Sequence, residues 1–194
     1  MLRPFVVVLF SLTAPVVAQD LEYIRALVAA QRDRPAQLEQ TARIAPETEP
    51  GTALVVHGRA FAADGRTPLA GAIVFAYHTD RDGRYDRPGA PAHSWRLKGW
   101  AKTGDDGRFE FRTIRPGPYP RRSEPAHIHL ALFTADGKRY HAGAVLFDDD
   151  KLVTAAVREG SRKDETFGPV RPVRVEKAVQ HVDVNIRIQE KEQF

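Results

Sequence analysis

Short runs that alternate apolar and polar residues, separated by turn signals, recur from about residue 53 onward. The last, Val182-Asp183-Val184-Asn185-Ile186-Arg187-Ile188, alternates without a break, as a strand does when one face meets a core. Leu54 to Phe61, Ala72 to Tyr77, Arg108 to Arg112, His127 to Leu132 and Lys138 to Phe147 read the same way, and Leu152 to Val157 is a weaker candidate. Asp-Gly pairs at 64–65, 82–83, 106–107 and 136–137 lie between or beside these runs and act as hairpin signals. Many short strands with regular turns predict an all-β fold, a β-sandwich. Upstream, Asp20 to about Gln37 predicts a short helix capped by Asp20, with Leu21, Ile24, Leu27 and Val28 near helical spacing. Glu39 to Thr52, with Pro46 and Pro50, reads as a linker. The expected order is a leader over 1–18, helix and linker over 19–50, and a sandwich over 51–194.

The leader is read from Arg3, the apolar run Phe5 to Leu12, and the small-residue site Val16-Val17-Ala18, which together form a secretory signal cut near Ala18. The apolar run is too short to span a bilayer and Pro15 follows it. The expectation is an exported protein, periplasmic or secreted, with no membrane attachment after cleavage. The absence of cysteine removes disulfides, thioether lipid anchors and thiolate metal ligands. A formal charge of +4 is spread among interleaved acids and bases. No basic helix or basic-aromatic ladder suits a nucleic-acid partner. Arg112, Arg115, Arg121 and Arg122 make one local basic patch, either ordinary solvated surface or a rim that attracts small anions.

That patch surrounds Arg115 to Leu132, RPGPYPRRSEPAHIHLAL. In a strand His127 and His129 share one face while Ile128, Leu130 and Leu132 share the other. Histidines in strands are commonly satisfied surface or core groups, yet two imidazoles on one rigid element also start a metal site. Pro116, Pro118 and Pro120 with Gly117 hold the Tyr119 loop, which suggests a metal bound by nitrogen and phenolate oxygen. Asp80 and Asp82 before Gly83 hint at a calcium loop, but its later acidic ligands are missing. Tyr85, taken alone, is a loop tyrosine.

Taken in order, Gly83-Arg84-Tyr85, the Thr103 to Pro120 stretch ending Arg115-Pro116-Gly117-Pro118-Tyr119-Pro120, and Pro125-Ala126-His127-Ile128-His129 make a specific combination. It resembles the intradiol ring-cleavage dioxygenases, the protocatechuate and catechol dioxygenase family, over roughly Gly51 to Phe147. The resemblance implies a β-sandwich of that family's type. It also implies a non-haem Fe(III) held by Tyr85, Tyr119, His127 and His129, with Tyr119 and His127 as the axial pair. Phenolate suits this ligand role, because a hard, highly charged ion favours anionic oxygen. By the same resemblance, a small aromatic diol and O2 are the reactants, Tyr119 accepts a substrate proton, and a muconate-type diacid is the product. Tyr77, Tyr140, His78 and His141 match no motif and are expected to be packing or surface groups.

The chain departs from the family pattern at three places. Glu124 stands where the family carries an arginine thought to stabilise developing charge. Arg121 replaces a common aromatic, and Gly143 to Phe147 lacks an expected glutamine. Arg121 or Arg122 could replace the missing cation, making both candidate substrate-binding groups and Arg122 a candidate catalytic one. Glu124 could face solvent or act as a base towards the catechol. A second class of function, an exported non-catalytic sandwich binding iron, a catecholate or a protein partner, therefore stays open. A zinc or copper hydrolase is weaker, having no base near the histidines other than Glu124. Oligomerisation is compatible with the sequence.

Overall fold

The computed structural model describes residues 15–90, 94–120 and 124–188, with side chains from Tyr23 onward. Most of the expected leader lies outside the described residues. A helix, α1, spans Pro15–Ala30, followed by a single 3-10 turn at Gln31–Asp33. It thus begins earlier and ends earlier than Asp20 to Gln37. The second compact unit starts at Arg34. Among the described residues no helix is long and apolar enough to cross a membrane.

The second unit is a two-sheet sandwich. One sheet contains β1 (Thr41–Arg43), β5 (Arg108–Ile114), β2 (Ala53–Phe61), β10 (Val179–Arg187) and β9 (Arg174–Glu176), in that spatial order. The other contains β4 (Leu97–Lys102), β3 (Ile73–His78), β6 (His127–Phe133), β7 (Arg139–Phe147) and β8 (Val170–Arg171). The all-β expectation holds. Alternation decides which residues meet between the sheets: Leu54, Val56, Phe111, Val182 and Ile186 from the first face Val74, Ala76, Ile128, Leu130 and Leu132 from the second, all buried. Ile128, Leu130 and Leu132 point inward as expected, which sends His127 and His129 to the opposite face of their sheet.

Three local expectations are corrected. Residues 41–43, read as linker, form β1 beside β5, because Glu110 N–H donates to the Gln40 carbonyl and Ile44 N–H to that of Arg112. The sandwich therefore takes in chain upstream of residue 51. Leu152 to Val157 is not a strand: Thr154 caps a helix, α2 (Ala155–Lys163), its hydroxyl accepting from Val157 N–H at 3.3 Å. Strand β4 was not anticipated, since its inward positions Leu97, Gly99 and Ala101 carry little apolar bulk to show a period.

One polar contact crosses the core. His78 at the end of β3 is fully buried; its Nδ1–H donates to the Thr79 carbonyl and its Nε2 accepts from the Thr113 hydroxyl of β5, both at 2.6 Å. Burial holds this imidazole down at about 4, so it is neutral and both ring nitrogens are used. A histidine protonated near 6.5 when unfolded but only near 4 when folded makes the unfolded state bind more protons between those values, so stability falls with acidification. The stability advantage of wild type over His78→Gln, measured by urea denaturation, should shrink by on the order of 3 kcal/mol between pH 7 and pH 4. A pH-independent advantage would show that His78 does not carry this linkage.

Candidate metal centre

The outer face of the β3–β6 sheet carries His127 and His129, and two loops fold over it. The first, between β3 and β4, carries Tyr85; the second, between β5 and β6, carries Tyr119. Asp80 organises the first loop. Its backbone N–H donates to the Arg84 carbonyl at 2.8 Å, and its carbonyl accepts from Gly83 N–H at 3.0 Å. Its carboxylate accepts from Asp82 and Arg84 N–H at 2.9 and 3.0 Å. The other carboxylate oxygen faces Arg96 at 3.5 Å, and Arg96 also grips Glu49 through both terminal nitrogens at 2.5 and 2.8 Å. Arg96 N–H donates to the Tyr85 carbonyl at 3.1 Å. The calcium-like pattern is thus a loop-closing device. Among the described residues no group of three or more His, Cys, Asp or Glu is placed to hold a cation.

The loops then lock together. Gly117 N–H donates to the Asp80 carbonyl at 2.8 Å and the Thr79 hydroxyl donates to the Gly117 carbonyl at 2.7 Å. Gly83 has φ +80°, and a Cβ there would be driven into the Pro118 carbonyl oxygen; a Cβ on Gly117 would meet the Arg81 carbonyl oxygen. Both positions need glycine because backbone lies against backbone.

Four donor atoms converge as a result. Tyr85 Oη lies 2.6 Å from Tyr119 Oη, which is 3.1 Å from His127 Nε2. His127 Nε2 lies 2.9 Å from His129 Nε2, which is 2.9 Å from Tyr85 Oη. The ring is closed. His127 Nδ1–H donates to the Pro125 carbonyl at 2.7 Å, which leaves its Nε2 as a lone pair. Two hydroxyl protons and at most one on His129 Nε2 must then serve four edges, so at least one edge sets lone pair against lone pair. A cation removes that conflict. Donors about 2.1 Å from one ion and at right angles lie about 3 Å apart, which matches the edges. Two phenolic oxygens and two imidazoles in this spacing fit a hard trivalent ion such as Fe(III).

All four sequence-predicted ligands are brought together, with one correction. Tyr119 and His127 are neighbours on the ring at 3.1 Å, whereas donors on opposite sides of an ion would be about 4 Å apart. The ring order places Tyr119 across from His129 and Tyr85 across from His127, so Tyr119 and His127 would hold an ion from adjacent positions rather than as the expected axial pair.

Protonation is tuned by burial. His129 is held down at about 3, chiefly by burial, with His127, His141 and His78 adding to the effect, so it stays neutral, as a ligand must. The Tyr119 phenol is pushed up, first by burial and also by the Glu124 carboxylate, against the hydrogen bond from Tyr85. Glu124 itself is exposed. Arg121 and Arg122 lie outside the described residues.

Sequence reasoning missed the supports. Asp150 accepts from Ala126 N–H at 2.8 Å and from Leu152 N–H at 2.9 Å, pinning the approach to His127. Tyr77, expected to be packing, is buried against the His129 ring, with Trp95 on its other side. Trp95 has φ +43°, a conformation that costs a bulky residue on the order of 1–3 kcal/mol. Tyr140 is a core residue, as expected.

Comparison with known proteins identifies the family. The family model described as Dioxygenase matches residues 29–189. Catechol 1,2-dioxygenase 1 of Acinetobacter lwoffii is 40% identical over 128 residues, covering 57% of this chain and 40% of that protein. Chlorocatechol 1,2-dioxygenase of Rhodococcus opacus is 30% identical over 161 residues, covering 73% and 61%. The chain thus spans less than two thirds of the length of these curated relatives. In structure it is similar to catechol 1,2-dioxygenase from Pseudomonas arvilla C-1, with TM-score 0.57, 21% identity, and coverage of 91% of this chain and 72% of that one. It is also similar to the dioxygenase domain of a carbohydrate-binding fusion from Streptomyces sp. SirexAA-E, with TM-score 0.59, 23% identity, and coverage of 80% and 91%. The solved structures bear on the fold alone. The chain belongs to the intradiol ring-cleavage dioxygenase family.

The interlock has a direct consequence. Gly83→Ala should lose about 1–3 kcal/mol of unfolding free energy from the positive φ alone, with more from the displaced Pro118 carbonyl. Urea titration of the purified variant checks this, and a wild-type midpoint would mean that the loops separate at no cost.

Proposed function

We propose that the protein is an exported non-haem ferric dioxygenase that cleaves catechol-type rings between the two hydroxyl-bearing carbons, with O2 as co-substrate and a muconate-type diacid as product. The observation that carries the proposal is the closed ring of Tyr85, Tyr119, His127 and His129 donor atoms. A ferric ion, when bound there, supplies the positive charge that favours a dianionic diol and withdraws electron density from its ring. The chain's own groups do the rest. His127 is held as an Nε2 donor by the Pro125 carbonyl, and His129 stays neutral through burial. Tyr119 is the ligand suited to take up a substrate proton, because burial and Glu124 favour its protonated form. Arg121 and Arg122, next in the chain to the Tyr119 loop, are proposed to meet negative charge on the substrate. Export rests on the Arg3, Phe5 to Leu12 and Val16 to Ala18 pattern.

Glu124 favours a second reading. An exposed carboxylate acting on Tyr119, where the family carries an arginine, suits a site that binds ferric catecholate without turning it over.

Visible absorption of iron-loaded protein, before and after anaerobic catechol, separates the readings when followed by oxygen uptake. Tyrosinate-to-iron colour that shifts to longer wavelength with catechol, then O2 consumption equal to diacid formed, is the expected result; Tyr85→Phe should weaken the colour and cut turnover at least a hundredfold. Colour and shift without oxygen uptake would establish the binding module. Protein that stays colourless with Fe(III) would overturn both.

A further inference from the structure

We propose that Tyr77 and Trp95 are positioning residues for the metal centre, forming a ring column that sets the plane of His129. The inference rests on the ferric reading of the site. The two histidine donors are fixed in different ways. His127 is oriented by a hydrogen bond from its Nδ1–H to the Pro125 carbonyl. His129 has no such partner for Nδ1 among the described residues, and what holds its plane there is ring packing.

Tyr77 supplies that packing. In the antiparallel register of β3 and β6, Tyr77 and His129 are directly opposed, and their rings stack at 4.6 Å with planes 13° apart. Cross-strand pairs of this kind are the closest side-chain neighbours in a sheet. Behind Tyr77 the Trp95 indole stacks at 4.0 Å and 19°. Tyr77 and Trp95 are each only 2% exposed, so neither ring has room to tilt. Tyr77 also flanks the Tyr85 ring at 5.8 Å, and so touches two of the four donor side chains. The left-handed backbone at Trp95 is what brings the indole onto Tyr77 from the loop that carries Tyr85. A strained conformation next to a ligand set is a sign that placement matters there. The ring of Tyr77 is the part assigned this function, since the ring is what stacks on His129.

The test compares Tyr77→Leu with Tyr77→Phe, which keeps a ring of the same size against His129. Folding is checked by circular dichroism and thermal melting. Ferric affinity is measured by competition with a chelator, and the electron paramagnetic resonance signal of bound Fe(III) reports the symmetry of its ligands. Tyr77→Leu should bind iron at least tenfold more weakly with an altered signal, while Tyr77→Phe stays within about threefold of wild type. Folded Tyr77→Leu with wild-type affinity and signal would overturn the inference. Should Tyr77→Leu not fold, Trp95→Phe, which thins the column, decides in its place: wild-type affinity and signal there would overturn the inference equally. If wild type binds no Fe(III), the ferric reading fails separately, and ring-proton shifts of His129 in metal-free protein still decide the column. Upfield shifts in wild type that vanish in Tyr77→Leu support it, and unchanged shifts sink it.

Discussion

The backbone-to-backbone closure of the 79–85 and 115–120 loops is the constraint on which the rest of the site depends. Neither tyrosine sits on a strand, and a phenol on a free loop would sample many positions. Gly83 and Gly117 allow the two chains to touch, while Asp80 and Thr79 bond across the contact. The loops become one rigid piece, and its two hydroxyls arrive 2.6 Å apart above two histidines that strand pairing has already placed. The pre-organisation needed for a tight metal site comes from this union of a rigid sheet and a locked loop pair.

The sandwich beneath it explains why the site lies where it does. Period-two alternation spends one face of β6 on the core and leaves the other for His127 and His129. That outer face is not surrendered to water. Phe75, Tyr77 and Trp95 form a second, smaller apolar layer under the loops, and its low polarity keeps His129 neutral. Meanwhile His78, one residue from Tyr77, turns inward and bonds Thr113 across the core. Adjacent residues of β3 thus serve the two faces, one joining the sheets and the other stacking on His129.

Charge around the centre is unlike the pattern the family resemblance implies. A carboxylate at Glu124 stands where a guanidinium is the expected group, and it adds to the burial that pushes the Tyr119 phenol up, against the larger opposing hydrogen bond from Tyr85. Arg121 and Arg122 follow Tyr119 closely in sequence.

Much of this was legible in the residues themselves. Period-two runs and Asp-Gly pairs identified most strands of the sandwich, because alternation is imposed by a local geometry that every strand shares. The candidate ligands Tyr85, Tyr119, His127 and His129 were legible through the ordered motifs that resemble the intradiol family, since Tyr85 alone reads as a loop tyrosine. Strand β1, with only three residues, and β4, with glycine and alanine inward, left no period to read, and Thr154 capped a helix within a β-like run. The order of donors around the ring, which sets Tyr119 beside His127, was beyond the sequence, since it depends on how two loops close in space. So was the role of Tyr77, whose contact with His129 exists only through the register of β3 against β6. The chain by itself determined which side chains could serve as ligands and which strand faces were apolar. Tertiary structure alone decided who stands next to whom, because those distances come from long-range pairing and loop closure that no local pattern encodes.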